Sequence, residues 1–548
     1  MPKSSSNSIS REEWRQVGIV ALAVMSLTLI PYLLGYTLSQ SPYHFAGTVM
    51  YLEDYRTYLA KMWLGYRGDW LYTSTFTTQE HPAAFVYPFY ILLGHVARWL
   101  GLSLPLTYQL ARFASGVALL LMVYRFAAAF LPSPTRWYAY LLTATASGLG
   151  WLTLFWEMPW AGAKGPIDQW MPEGTVFFSI YTFPHFALAF LCILGFFLNV
   201  LPLIENESTS SRRGFILRAI FYGVTLAFIH PYMVLPLGLV PALYLLWRMV
   251  RARQWVWRPW LLLIAIGLTL LPVAGYSLSV FVFVPHYREW LAQGVMLSPP
   301  VAGYLLGYGL LWPLAVWGAW RLRPQPRLPF LLIWIGVTFG LAYIPHNTQR
   351  RFVEGVHVAI CILAGAGLSL GLVPWLGQRF AGLKARYSQR VASWRWLILT
   401  GLVLFLSLSN FLVILSHALV VTVRDSFLYY RDDDAAAMAW LLGQETWNEP
   451  VLSSDETGNL LGGQIGQKVV TGHWAETIDY VNTFRRVGLF FAEETTDNQR
   501  QDWLAEWGAT YLYYGQYERE LGAFDPAQAD YLEPVFTQGE VTVYQVLR

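Results

Sequence analysis

The chain is 548 residues long, 55% hydrophobic and 17% aromatic, and only 13% of it is charged. Soluble globular domains carry about 25% charged residues, so this composition excludes that class and points to a membrane protein. The net charge of +3 conceals two unlike parts: from Arg424 onward there are 21 acidic and 8 basic residues, a net of −13, which leaves +16 on residues 1–423. Charge therefore divides the chain into a basic membrane body, 1–423, and an acidic soluble tail, 424–548.

Twelve apolar runs are long enough to span a bilayer at roughly 20 residues each. They fall at 15–38, 83–100, 107–131, 136–156, 175–200, 214–231, 233–249, 259–284, 301–320, 327–345, 352–376 and 395–421. The first is longer than a secretory h-region and no small-x-small cleavage site follows it, so it reads as a retained helix rather than a signal peptide. Lys and Arg concentrate on the cytoplasmic side of membrane proteins, and the segments 248–258, 321–327 and 378–390 are the most basic connections here. Placing them inside, together with Lys3, Arg11 and Arg15, puts 39–82, 157–174, 285–300, 345–351 and the acidic tail outside. Twelve crossings would return the tail to the cytoplasm, so one run before Arg125 is re-entrant, split or merged with its neighbour. The run 83–100, interrupted by His95 and Arg98, is the suspect, and the expectation is a polytopic α-helical protein of about 11 to 13 crossings.

The tail changes period. A helical pattern at 435–442 alternates with strand-like runs at 450–453, 468–471, 510–514 and 541–546, which fits a small α/β domain.

No glycine-rich phosphate loop, dinucleotide fingerprint, zinc helix or nucleophile elbow is present. Cys192 and Cys361 lie in apolar runs and support neither a disulfide nor a thiolate metal site. Gly367 and Gly371 make a small-xxx-small pair suited to close helix approach. His185 and His230 sit in Pro-His and His-Pro steps that end helices, either at the interface or lining a polar cavity. Asp432, Asp433 and Asp434 precede an Ala-rich segment and read as the acidic first turn of a helix rather than a metal cluster.

The long polar segment 51–82 remains. It carries Glu53 and Asp54 near its start and Glu80 and His81 at its end, as Gln-Glu-His-Pro leading into the next apolar run. A carboxylate at a water-accessible membrane cavity can take the proton of an attacking hydroxyl, although a Glu-Asp pair also simply solvates a loop. One N-terminal helix, a long external loop with an acidic residue in Asp-Tyr-Arg-Thr-Tyr-Leu, the Gln-Glu-His-Pro step, a multi-helix body and an external C-terminal α/β domain together resemble the GT-C superfamily of integral-membrane glycosyltransferases. That resemblance implies a polyprenyl-phosphate sugar donor bound from the bilayer, an inverting transfer, and Asp54 as general base with Glu53 as its alternate. The acceptor, whether glycan, lipid or protein, stays open, and nucleic acid is not expected among the partners. Some members carry a second acidic pair in the next external loop. Here Glu157, Asp168 and Glu173 form no close pair, so a divalent metal is possible but no cofactor is assigned.

A lipid-phosphate donor needs its phosphate held, and Arg does so with a bidentate fork. Arg350 and Arg351, in a polar external helix end, are the candidates, with His346 a helper; pairing with Glu354 or headgroup anchoring are the alternatives. His286 and Arg288 form a weaker second set, and Glu80, His81, Glu173, His185, His230 and Arg288 are possible cavity-lining residues. The setting expected is the plasma (inner) membrane of a prokaryote, within the cell envelope, with the C-terminal domain external. Two other readings remain: a transporter or flippase, disfavoured by sparse mid-helix charge and the lack of a repeat, and a non-catalytic assembly protein.

Overall fold

The computed structural model describes residues 8–205, 212–379 and 400–547. Lys3, positions 380–390 of the basic segment 378–390 and the first residues of the run 395–421 lie outside the described residues. Among the described residues, six helices are long and apolar enough to cross a membrane: Arg11–Leu38, Leu104–Ala127, Pro184–Ile204, Pro231–Ala252, Trp257–Phe283 and Gln349–Arg379. Two further spans are bent pairs, Val301–Tyr308 with Leu311–Arg321 at 77° and Thr400–Leu406 with Leu408–Thr422 at 57°. Trp257–Phe283 has just 11% of its apolar window buried in protein, so Leu261, Ile264, Leu268 and Leu278 present an apolar stripe that only lipid satisfies.

Other apolar runs give shorter helices, because apolar composition does not register where the backbone leaves the helix. The run 136–156 is α-helical only over Thr135–Thr145, with a short 3-10 helix at Gly150–Leu154. Beyond it, Ser147 donates to Leu406 O, Leu149 to Leu306 O and Trp151 to Ser409 Oγ, while the Gly148 and Gly150 amides donate to one oxygen of the buried Asp168, at 2.9 and 3.1 Å. Every one of these amides outside the α-helix is satisfied inside protein, as membrane depth demands. The run 175–200 breaks at Phe183, between Val176–Thr182 and Pro184–Ile204.

The chain divides into two compact units. The first comprises residues 1–30, 110–275 and 296–416. At its centre Val356–Ala366 is buried at every position, and glycine permits close crossings: a Cβ on Gly367 would meet the Leu314 carbonyl oxygen at 1.9 Å, and one on Gly371 the Trp317 indole at 2.7 Å.

The second unit comprises residues 31–109, 276–295 and 417–548. Within it the reading of 51–82 as a loop is corrected: Leu52–Arg67 is a helix of 16 residues. Leu52, Tyr55, Leu59 and Met62 recur at helical spacing and are buried, so an amphipathic helix lay hidden in polar composition. It packs on Pro88–Leu100, the 13-residue helical part of the suspect run. The two backbones nearly touch, for a Cβ on Gly65 would sit 1.9 Å from the Ile91 carbonyl oxygen and one on Gly94 1.9 Å from that of Met62.

The tail contributes a four-stranded sheet in the order Val451–Leu452, Tyr511–Tyr514, Val541–Val546, Leu532–Gln538, with the first pair parallel and the others antiparallel. Alternation along the strands sorts its two faces. Val451, Tyr511, Tyr513 and Val543 pack with Met438, Leu441 and Leu461 of the helices Asp432–Gly443 and Asp455–Gln464, and with Ala60 of Leu52–Arg67. Leu452, Leu512 and Tyr544 face Val487, Phe490 and Leu504 of Tyr480–Phe491 and Asp497–Trp507. The run 468–471 supplies only an isolated bridge at Val469, and the strand Leu532–Gln538 was not anticipated.

Candidate functional site

The second unit carries a polar cluster on the first helix. Asp54 lies in the first turn of Leu52–Arg67, where unsatisfied amides favour negative charge, and its side chain is 46% exposed. Asp54, Tyr58 and Lys61 share one helix face by their spacing. The loop after Val470 meets that face. Thr477 Oγ1 accepts from the Gly472 and His473 amides, and Gln293 donates to the Ala475 and Thr477 carbonyls, which pins the turn. His473, 4% exposed, accepts from the Ala475 amide through Nδ1, so the neutral ring carries its hydrogen on Nε2, 3.8 Å from Asp54 Oδ1. Beneath them Lys61 Nζ lies 2.6 Å from Glu476 Oε1, Tyr72 donates to Glu476 Oε2 at 2.8 Å, and the ammonium sits 4.9–5.6 Å from the rings of Tyr58, Tyr72, Tyr87 and Trp290. Burial pushes Lys61 below the usual lysine range, against the pull of Glu476 and, more weakly, Asp54.

Glu53, one residue earlier, turns about 100° away and lines a cavity of about 330 Å³ with Arg56. His81 accepts from the Ser74 amide through Nε2 and bonds Gln79 O through Nδ1, which fixes it as a neutral ring stacked 3.8 Å from His286. Burial, then the neighbouring His81, holds His286 at about 3. Glu80 and Arg288 are exposed and join neither group.

The first unit gathers a different set. Glu173, fully buried, accepts from Arg350 Nε at 2.6 Å and lies 3.9 Å from Arg351. Burial alone would raise its carboxyl, but the two guanidiniums outweigh it and hold Glu173 below the usual range. Arg350 lies over Trp170 and Arg351 over Phe186, each 17% exposed. The alternative partner is corrected: Glu354 binds neither arginine but accepts from Tyr232 at 2.8 Å and meets His230 Nδ1 at 2.8 Å, with His185 against His230 at 5.3 Å. His346 is exposed, bonded to Thr348, and makes no contact with this set.

Lys61, Tyr72, His473 and Glu476 were not anticipated. The spacing of Lys61 seven residues after Asp54 was the one local signal; His473 and Glu476 carried none. Among the described residues no group of three or more His, Cys, Asp or Glu is arranged to hold a metal ion. Each aspartate of 432–434 is engaged: Asp432 by Ser41 and His44, Asp433 by the Glu540 amide, and Asp434 by Tyr513 and the Arg431 amide. In the second loop Glu157 is exposed, and Asp168 and Glu173 are occupied as described.

No protein-family model matches the chain, and no curated protein matches it. Solved structures do. The oligosaccharyltransferase of Archaeoglobus fulgidus, tethered to an acceptor peptide containing the NVT sequon, aligns with a TM-score of 0.55 at 12% identity over 92% of this chain and 69% of that one. ArnT from Cupriavidus metallidurans, bound to undecaprenyl phosphate, aligns at 0.52 and 14% over 98% of both chains. The arabinofuranosyltransferase AftD from mycobacteria aligns at 0.53 and 13% over 98% of this chain and 40% of that one. The chain therefore shares the fold of these three solved structures, in keeping with the resemblance drawn from the sequence.

Proposed function

We propose that this protein is a membrane glycosyltransferase that moves a sugar from a polyprenyl-phosphate donor to a hydroxyl acceptor, with inversion, and that Asp54 is its general base. The half-exposed Asp54 carboxylate, in the first turn after the first membrane helix and 3.8 Å from His473 Nε2, is the observation that carries the reading. As the acceptor oxygen attacks C1 from the side opposite the phosphate, its proton passes to Asp54, the C1–O bond to phosphate breaks, and polyprenyl phosphate leaves with the bonding pair. Arg350 and Arg351 hold the donor phosphate, and Glu173 orients the Arg350 fork through Nε. Similarity to ArnT bound to undecaprenyl phosphate and to the archaeal oligosaccharyltransferase bound to dolichol-phosphate supports the donor class.

Eleven crossings are proposed: the six long helices, the two bent pairs, and three shorter segments beginning at Thr135, Arg212 and Leu328. With Pro88–Leu100 left out, an inside N-terminus gives an external tail, and the setting is the plasma membrane of a prokaryote.

Purified protein incubated with polyprenyl-phosphate hexoses and pentoses is expected to release polyprenyl phosphate. Asp54→Asn is expected to lower transfer by about 10²–10⁴-fold with an unchanged unfolding profile. Full transfer by a folded Asp54→Asn protein would remove Asp54 from the role, and no release from any donor would end the reading.

A further inference from the structure

The cavity of about 330 Å³ beside Glu53 takes no part in the chemistry above. It is lined within the second unit by the first turns of Leu52–Arg67 and Asp455–Gln464, the segment around Tyr430, and Tyr517. Its size lies at the lower end of small-ligand sites, room for one or two sugar rings.

One wall holds a buried cation with unmet hydrogen-bonding capacity. Arg56 is 9% exposed; its Nε has no hydrogen-bond partner, and one terminal nitrogen reaches only Asn459 Oδ1 at 3.4 Å. Burial pulls Arg56 down to about 10, against support from Tyr517, Tyr430 and Glu53. A buried guanidinium nitrogen without a partner is costly, and a ligand oxygen would relieve it. Glu53 and Glu456 line the same space and make no hydrogen bond or ion pair among the described residues, whereas Asp433, Asp434 and Asp455 are already bonded to protein groups.

The chemistry selects the ligand class. The lining carries six carboxylates against three guanidiniums, which repels a phosphate or a uronate. An ammonium has no lone pair to accept from the unpartnered Arg56 Nε, so an amino sugar leaves that donor unmet. A neutral polyol suits both, accepting from Arg56 and donating to Glu53 and Glu456, with the rings of Tyr430 and Tyr517 available to its apolar faces. Glu53 and Asp54 are adjacent on one helical turn, so a glycan unit held by Glu53 lies next to the proposed base.

We infer that this cavity binds an uncharged sugar unit of the acceptor, through Arg56, Glu53, Glu456 and Tyr517; the inference rests on the glycosyl-transfer reading for the word acceptor, and on the cavity alone for the sugar.

Titration of the full chain in nanodiscs, followed by saturation-transfer NMR, tests it. Neutral methyl hexopyranosides and pentofuranosides are the probes, with methyl glucuronide and methyl glucosaminide as charged comparators. At least one neutral glycoside is expected to bind saturably and about 10-fold more tightly than either charged sugar. Arg56→Ala and the surface variant Tyr517→Ala are each expected to weaken that binding by about 10-fold. Tyr517 is 36% exposed, which makes its variant informative even where Arg56→Ala fails to fold. Absence of saturable binding by every neutral sugar, preference for a charged one, or equal affinity in Tyr517→Ala would overturn the inference. Asp54→Asn separates the two claims: it is expected to abolish polyprenyl-phosphate release while sugar binding persists. Binding without release in the unsubstituted protein would sink the transfer reading and leave the sugar site standing.

Discussion

Lys61 Nζ and Glu476 Oε1 lie 2.6 Å apart although 415 residues separate them in sequence, and both side chains are almost wholly buried. Helix Leu52–Arg67 and a turn of the tail are thus joined by a charge pair, and removing either member leaves the other buried and unpaired. Breaking a buried pair by removing one partner costs about 3–5 kcal/mol, whereas replacing both with apolar groups is often near neutral. Glu476→Gln is therefore expected to lower unfolding stability by about 3 kcal/mol, and the double variant Lys61→Met with Glu476→Leu to recover most of it. A thermal-unfolding cycle on the unsubstituted protein, Lys61→Met, Glu476→Leu and their combination checks this, and additive losses would show that the pair is not coupled.

The Arg350 fork is held by Glu173 through Nε. Lysine keeps the charge but loses the planar bidentate geometry. Arg350→Lys is expected to raise the KM for the lipid-phosphate donor by about 10-fold and change kcat much less. An unchanged KM would remove Arg350 from the phosphate site.

Asp455 gives a pH signature in the tail. Burial raises its carboxyl to about 6, partly opposed by hydrogen bonds from Thr471 and Tyr480. A folded value above the unfolded one means the native state binds the proton more tightly, so the contribution is complete below about pH 4 and is lost as pH rises through about 6. Asp455→Asn is expected to flatten the fall in melting temperature across that window. Identical slopes in the two proteins would contradict the assignment.

Gly65 and Gly94 let two helices meet backbone to backbone. Each substitution to Ala forces them apart, at a cost of about 3 kcal/mol. Gly275→Ala is the control: it lies in Trp257–Phe283, nothing occupies the space within 4 Å of its Cβ position, and the change gains up to about 1 kcal/mol from helix propensity. Equal effects at the three positions would mean the crossing is looser than described.

What could be read from the sequence followed how local each signal is. Arg11–Leu38 and Trp257–Phe283 are long, uninterrupted apolar helices and were legible as such. The breaks at Ser147–Trp151 were not, because their amides are satisfied by Asp168, Leu306, Leu406 and Ser409, all distant in sequence. In the tail, Val541–Val546 alternates visibly and Tyr511–Tyr514 is an aromatic, strand-prone run. Leu532–Gln538 was obscured by Pro534, which the sheet tolerates on an outer strand beside a register shift. Arg350 and Arg351 stood out as charges at a polar helix end, yet their partner Glu173 lies 177 residues from Arg350 and nothing local announced the pairing.

The Gly65–Gly94 crossing has one more consequence, and it concerns phase. Glu53 and Asp54 are chemically near-equivalent neighbours, separated by a rotation of about 100° about one axis. At the first turn the buried Leu52 and Tyr55 hold that rotation, although Tyr51 offers no side-chain cap. The contact of Gly65 with the Ile91 carbonyl, eleven positions beyond Asp54, sets the angular setting of the whole rod. Which carboxylate faces His473 and which lines the cavity with Arg56 is thereby held at both ends of the helix, and at the far end by two residues that have no side chain at all.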